Sequence, residues 1–230
     1  MNPLLMLPGM MCDRRLFQPV IDALGPRHHC LTADLNHHSN WQDLAADVLD
    51  RAPAHFDLIG VSMGGGLALE LCALAPKRIG RVIILDANPH ADTPERAKRR
   101  RSLLSALDDE GLRAVMWDYL LPLYLAHGSH APEVLDLCWD MAEGLGEGVF
   151  RRQTQALQTR TSRLDQLAQF DRPVLILRGA EDQICPRHFH TDLAAALPNA
   201  HYQEIDGAGH LPTLEAPIET AEIIAKWLRI

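Results

Sequence analysis

The chain has 230 residues, enough for one domain with a modest insertion and for a core that needs no disulfide or metal staple. Hydrophobic residues make up 47% and charged residues 23%, an ordinary globular composition that excludes a disordered or fibrous chain. The net charge of −8 repels phosphate backbones and argues against a nucleic-acid partner, and no apolar run approaches the roughly 18 residues of a membrane span.

The first residues, Met1 to Gly9, carry no basic segment and no small-residue cleavage site, so no secretion signal is expected there. Five cysteines (Cys12, Cys30, Cys72, Cys138, Cys185) are scattered with no Cys-x-x-Cys pair. That pattern suits reduced thiols in the cytoplasm rather than a disulfide framework or a zinc site.

Apolar runs of strand length alternate with helical patterns. Leu4–Leu7 is a strand stopped by Pro8-Gly9, and His29–Ala33 is a weaker one. Trp41–Arg51 has helical spacing, with Ser39 or Asn40 as its cap. Phe56–Val61 predicts a strand and Gly64–Ala75 a helix; Arg81–Leu85 and Pro173–Leu177 are further strands. His188–Leu197 reads as helix, His201–Ile205 as strand and Ile218–Leu228 as helix. Continuous apolar strands separated by helices imply a parallel sheet covered on both faces.

Between Pro89 and Asp171 the rhythm breaks. Helices are predicted over Pro94–Leu107, Gly111–Tyr124, Pro132–Leu145 and Val149–Gln169, with no strand. The expected organisation is a core of residues 1–88 and 171–230, with residues 89–170 as a helical cap. Lys98-Arg99-Arg100-Arg101 in the first of these helices reads as a solvated face rather than the alternative, an anion site.

The most informative stretch is Gly60-Val61-Ser62-Met63-Gly64, entered by a strand and left by a helix. A serine on so tight a turn stands proud of the sheet, and glycines two residues to either side remove the collision across it. A serine hydroxyl needs a base. Of twelve histidines, His210 lies in a glycine-rich loop after the last strand, where loops at the C-terminal strand ends converge above the sheet. The pairs His28-His29 and His37-His38 read as solvent-facing. His188 and His190 have no third ligand at a metal-binding spacing, so no metal is expected. The base needs an acid, and Asp182, in the loop after Val174–Leu177, leads over Asp86 and Glu181. Two N–H groups should meet the oxyanion: that of Met63, and that of Met10 with Met11 as the alternative. The side chains of Met10, Met11 and Met63 either wall the acyl site or pack the core. Cys12 reads as a packing residue.

These four motifs in this order, Leu4–Gly9, Gly60–Gly64, Pro173–Asp182 and Gly207–Pro212, resemble the α/β-hydrolase superfamily, and the resemblance covers most of the chain. It implies a Ser-Asp-His hydrolase with a helical cap, similar to capped carboxylesterases and acyl-carrier methylesterases. Two departures stand out. Pro8-Gly9 replaces the His-Gly common at the oxyanion turn, and the two N-terminal strands usual in the superfamily are missing, so about six mostly parallel strands are expected. Ser62 excludes the dehalogenase and epoxide-hydrolase branches, which need an aspartate there. The implied reaction is hydrolysis of a small or medium ester by a monomer or homodimer, with no cofactor. C–C bond hydrolysis, lactone hydrolysis and perhydrolysis use the same triad, and a slow ligand receptor uses the same fold. Trp117, Tyr119, Leu120, Leu121 and Tyr124 either shape the pocket or pack the cap; Trp117 and Tyr124 are the expected substrate contacts.

Overall fold

A computed structural model describes residues 2–127 and 131–229. Six strands form one parallel sheet: β1 (Leu4–Leu7), β2 (Cys30–Thr32), β3 (Phe56–Val61), β4 (Ile79–Leu85), β5 (Val174–Gly179) and β6 (Ala200–Ile205), in the order β2-β1-β3-β4-β5-β6. Successive side chains of a strand point to opposite faces. Leu4, Met6, Ile59, Val61, Ile83, Leu85, Leu175 and Leu177 accordingly enter one core, and Leu5, Leu7, Leu58, Val82, Ile84, Val174 and Ile176 the other. Burial on both faces explains why these strands read as unbroken apolar runs.

The helices are α1 (Gln18–Leu24), α2 (Trp41–Arg51), α3 (Met63–Leu74), α4 (Pro94–Ala114), α5 (Pro132–Gln158), α6 (Leu164–Leu167), α7 (Arg187–Ala196), α8 (Pro212–Glu215) and α9 (Pro217–Trp227). Helices α1 and α9 cover the first core through Val20 and Ile224; α2, α3 and α7 cover the second through Trp41, Leu67 and Leu193. Asn40 caps α2, its Oδ1 accepting from the N–H groups of Gln42 and Asp43 at 2.9 and 3.2 Å. A cap of this kind is worth about 1 kcal/mol.

The segment between β4 and β5 is all helical among the described residues, but its breaks differ from the sequence reading. The expected boundaries near 107–111 and 145–149 are kinks, where Gly111 (φ 83°) and Gly146 (φ 78°) turn the chain inside α4 and α5. Glycine adopts these positive angles at little cost. The expected helix Val149–Gln169 stops at Gln158, where the Thr159 hydroxyl accepts the N–H of Trp41 (2.9 Å) and ties the chain to α2. Val115–Leu120 is a wide π turn and Leu121–Leu123 a 3-10 turn. Among the described residues no helix is long and apolar enough to cross a membrane.

Candidate active site

Ser62 occupies the turn between β3 and α3 with φ 55° and ψ −113°. A non-glycine residue there carries strain of about 1–3 kcal/mol, which the surrounding structure must hold. Part of the hold comes from its neighbours: the Ser62 N–H donates to the Leu85 carbonyl (2.9 Å), and the Gly66 N–H donates to the Ser62 carbonyl (3.0 Å). A Cβ at Gly60 would run into the backbone of Gly64, and one at Gly64 into the carbonyls of Leu7 and Pro8. The collision expected from the sequence is therefore real, and it extends to β1.

His210 follows β6, its N–H donating to the Tyr124 carbonyl (2.8 Å) and its ring tilted against that of Tyr124 at 5.8 Å between centroids. Glu215 braces this loop. One carboxylate oxygen accepts the N–H groups of Gly209 and Leu211 (3.0 and 3.1 Å), and the other accepts that of Ala126 (2.8 Å). Asp182 follows β5. Its Oδ1 accepts the N–H groups of Ile184 and Cys185 at 2.8 and 3.1 Å.

The three side chains meet in series. His210 Nε2 lies 2.8 Å from Ser62 Oγ, and His210 Nδ1 lies 2.9 Å from Asp182 Oδ1. His210 and Asp182 are buried, at 2% and 5% exposure. Burial pushes the Asp182 carboxyl up, but His210 and the two backbone donors outweigh it and hold the group at about 2. Asp182 is thus ionised and fixes Nδ1–H of the imidazole, leaving the Nε2 lone pair toward the serine.

The other candidate acids are engaged differently. Glu181 accepts the His127 N–H (2.8 Å). Asp86, fully buried at the end of β4 with φ 46°, accepts the Gly179 N–H through Oδ1 (2.9 Å) and faces the Asp182 carboxylate. Burial, then the Asp182 charge, push its carboxyl well above the ordinary range, so Asp86 carries the proton that two facing carboxyls require. Its second oxygen and Oδ2 of Asp182 have no hydrogen-bond partner among the described residues.

The N–H of Met63 opens α3 at its positive end, beside Ser62. No described residue accepts it, nor the N–H of Met10. The Met11 N–H is already spent on Gln153 Oε1 (2.8 Å), while Gln153 Nε2 donates to the Leu35 carbonyl (3.2 Å). This buried glutamine holds Met11 at φ 56° and removes it as the alternative donor. No sequence signal marked Gln153, Glu215 or the proton on Asp86; each has at least one partner in a remote segment.

A cavity of about 200 Å³ opens above Ser62, walled by Met10, Met63, Leu103, Leu120, Tyr124 and other residues. Two expected contacts do not reach it. Met11 is fully buried in the core. Trp117 packs against the core with Arg113 over its ring (5.9 Å), because the wide turn at Val115–Leu120 breaks the helical register that would have carried it round with Tyr124. The basic run differs in part from expectation: Lys98, Arg99 and Arg101 are exposed as the solvated reading has it, but Arg99 and the half-buried Arg100 also line the cavity.

Among the described residues, one group of metal-type donors lies close together, Asp182, Cys185 and His210. Asp182 and His210 spend their atoms on each other and on Ser62, and burial pushes the Cys185 thiol up so that it stays protonated. That set does not suit a cation. His190, buried and stacked at 21° on Tyr202, is held neutral, burial lowering it to about 4.

A family model described as alpha/beta hydrolase family matches residues 4–223. Among curated relatives, the biotin biosynthesis bifunctional protein BioHC of Teredinibacter turnerae is 26% identical over 98% of this chain, which spans 44% of that protein. The putative non-heme bromoperoxidase BpoC of Mycobacterium tuberculosis is 30% identical over 74% of this chain and 66% of its own. The pimeloyl-[acyl-carrier protein] methyl ester esterase of Nitrosomonas europaea is 26% identical over 93% of this chain and 90% of its own. In solved structures, a thermophilic esterase from Thermogutta terrifontis with malate bound superposes with a TM-score of 0.89 at 23% identity, covering 100% of this chain and 90% of that one. The enol-lactonase of Burkholderia xenovorans gives 0.88 at 22%, covering 100% and 92%. With the sheet order, the serine turn and the match over nearly the whole length in agreement, the chain belongs to the alpha/beta hydrolase family.

Proposed function

We propose that the protein is a serine esterase acting on a small or medium carboxylic ester. The observation that carries the reading is the 2.8 Å contact of His210 Nε2 with Ser62 Oγ, backed by the 2.9 Å contact of Nδ1 with an ionised Asp182. His210 takes the Ser62 proton as Oγ attacks the ester carbonyl. Asp182 stabilises the imidazolium, and the N–H groups of Met63 and Met10 receive the oxyanion, each donor worth about 2.7–4 kcal/mol of barrier. The alcohol leaves with the proton from His210, water attacks the acyl-enzyme with the same histidine as base, and the acid departs. Residues 89–170 act as a cap that supplies Leu103, Leu120 and Tyr124 to the cavity wall. The pimeloyl-[acyl-carrier protein] methyl ester esterases among the relatives support an ester substrate.

A fluorophosphonate label and an assay on p-nitrophenyl esters test the reading. Wild type should take the label and turn over ester; Ser62→Ala should lose the label and about four orders of magnitude of activity or more. Full turnover by Ser62→Ala would end the proposal.

A further inference from the structure

The charge on the cavity wall reaches beyond ester hydrolysis as such. Arg96, Arg99, Arg100 and Leu103 sit at offsets of three, four and seven, one face of α4, and all four line the cavity over Ser62. Arg160, from the chain after α5, joins them and is 7% exposed. Four guanidiniums therefore face one small space.

Asp92 is the carboxylate that answers them. It pairs with Arg100, and its Oδ1 takes Arg160 Nη2 at 3.2 Å. Arg96 gives Nη2 to the Ile184 carbonyl (3.1 Å) and lies over the Phe189 ring (4.9 Å), contacts that leave its charge unbalanced. Arg99 has no acceptor among the described residues. Arg160 Nε and Asn88 Nδ2, on two further cavity-lining residues, are buried donors with no partner among the described residues. Burial lowers the Arg160 guanidinium, Asp92 opposes, and Arg100 and Arg96 lower it again, to about 10; it remains a cation near neutrality. Like charges in a half-enclosed, low-dielectric space repel strongly, and a bound anion removes that cost.

The cluster is close to the nucleophile. A Cβ on Gly66 would stand 3.2 Å from Arg160 Nη1, and Gly66 is one helical turn beyond Ser62, roughly 6 Å along the axis. An ester carbonyl at Ser62 and an anion at Arg160 fit the two ends of one short acyl chain.

We propose that the preferred substrate is an ester whose acyl part ends in an oxyanion, a carboxylate or a phosphate, held by Arg160 with Arg96, Arg99 and Arg100. The proposal rests on the esterase reading and names its substrate class. Fork-shaped guanidiniums match such groups bidentately.

The test compares mono-p-nitrophenyl glutarate with neutral p-nitrophenyl valerate. Wild type should favour the glutarate ester at least tenfold in kcat/KM, and the preference should shrink in high salt. Arg160→Gln and Arg100→Gln should each cut that ratio toward one. Because the ratio is read within one protein, partial misfolding does not imitate the effect, and Arg99→Gln at the exposed rim supplies a variant with no buried contact to lose. Competition by glutarate and by inorganic phosphate then tells which oxyanion the site prefers. A ratio of one or below in wild type overturns the inference while leaving a Ser62-dependent esterase intact. If no ester is turned over, calorimetry of glutarate and phosphate with Ser62→Ala decides. Binding lost in Arg160→Gln supports the anion site without the esterase reading, and no binding overturns it.

Discussion

Replacing Asp86 by asparagine should make the protein less sensitive to rising pH. Asp86 keeps its proton in the fold because burial and the facing Asp182 disfavour a second charge. In the unfolded chain the same carboxyl has a pKa near 3.9 and is ionised above about pH 5. Unfolding then releases a proton, so this group subtracts about 1.4 kcal/mol of stability per pH unit between its unfolded and its raised folded pKa. Below about pH 4 both states are protonated and the penalty is absent. Asparagine keeps an acceptor for the Gly179 N–H and has no proton to lose. As the pH rises above about 5 the variant should gain steadily on wild type, by at most about 1.4 kcal/mol per pH unit. In a chain of this size each such step is about 3–6 °C in Tm. Urea titrations at pH 5, 6 and 7 measure it. Asp86→Ala is the control; it also lacks the titrating carboxyl, so its stability should follow the same pH trend as Asp86→Asn but lie about 1–3 kcal/mol lower, because the Gly179 N–H is stranded. Parallel stability curves for wild type and Asp86→Asn would show that Asp86 is ionised in the fold, and the reasoning would fail.

Two further substitutions probe the same centre. Asp182→Asn should keep the fold but lower kcat about 10⁴-fold, because the amide presents the wrong partner to Nδ1; a loss below tenfold would mean that Asp86 or Glu181 orients the imidazole instead. Gly64→Ala should cost about 1–3 kcal/mol or more in denaturant titration, since its Cβ meets the Leu7 carbonyl, with esterase activity falling alongside as Ser62 is displaced. Wild-type stability in Gly64→Ala would contradict the packing seen at the turn.

Much of the architecture was legible because it depends on neighbours in sequence. Strands buried on both faces must be mostly apolar, so the runs within Leu4–Leu7, Phe56–Val61 and Val174–Gly179 announce themselves, with Asp57 and Arg178 the buried exceptions. Ser62 is announced by Gly60 and Gly64; the need at Gly60 is a clash across four residues, and that at Gly64 a clash with Leu7 and Pro8 of the neighbouring strand end. His210 and Asp182 follow from their place after strands of a parallel sheet, since such strands all end on one side. The kinks in the long helical segment likewise fall at glycines the sequence displays, Gly111 and Gly146.

What the sequence left open depends on partners a hundred residues away. Met11 stands as the alternative to Met10 until Gln153 claims its N–H. Trp117 and Tyr124 share a helical face until a wide turn separates them. A basic run looks solvated until α4 is laid over the sheet with Arg96, Arg99 and Arg100 turned inward, and Asp86 is a plain carboxylate until Asp182 confronts it. Hydrophobic periodicity and turn chemistry are short-range and can be read along the chain. Hydrogen-bond partners, buried charge and the shape of a cavity arise only when distant segments exclude water together.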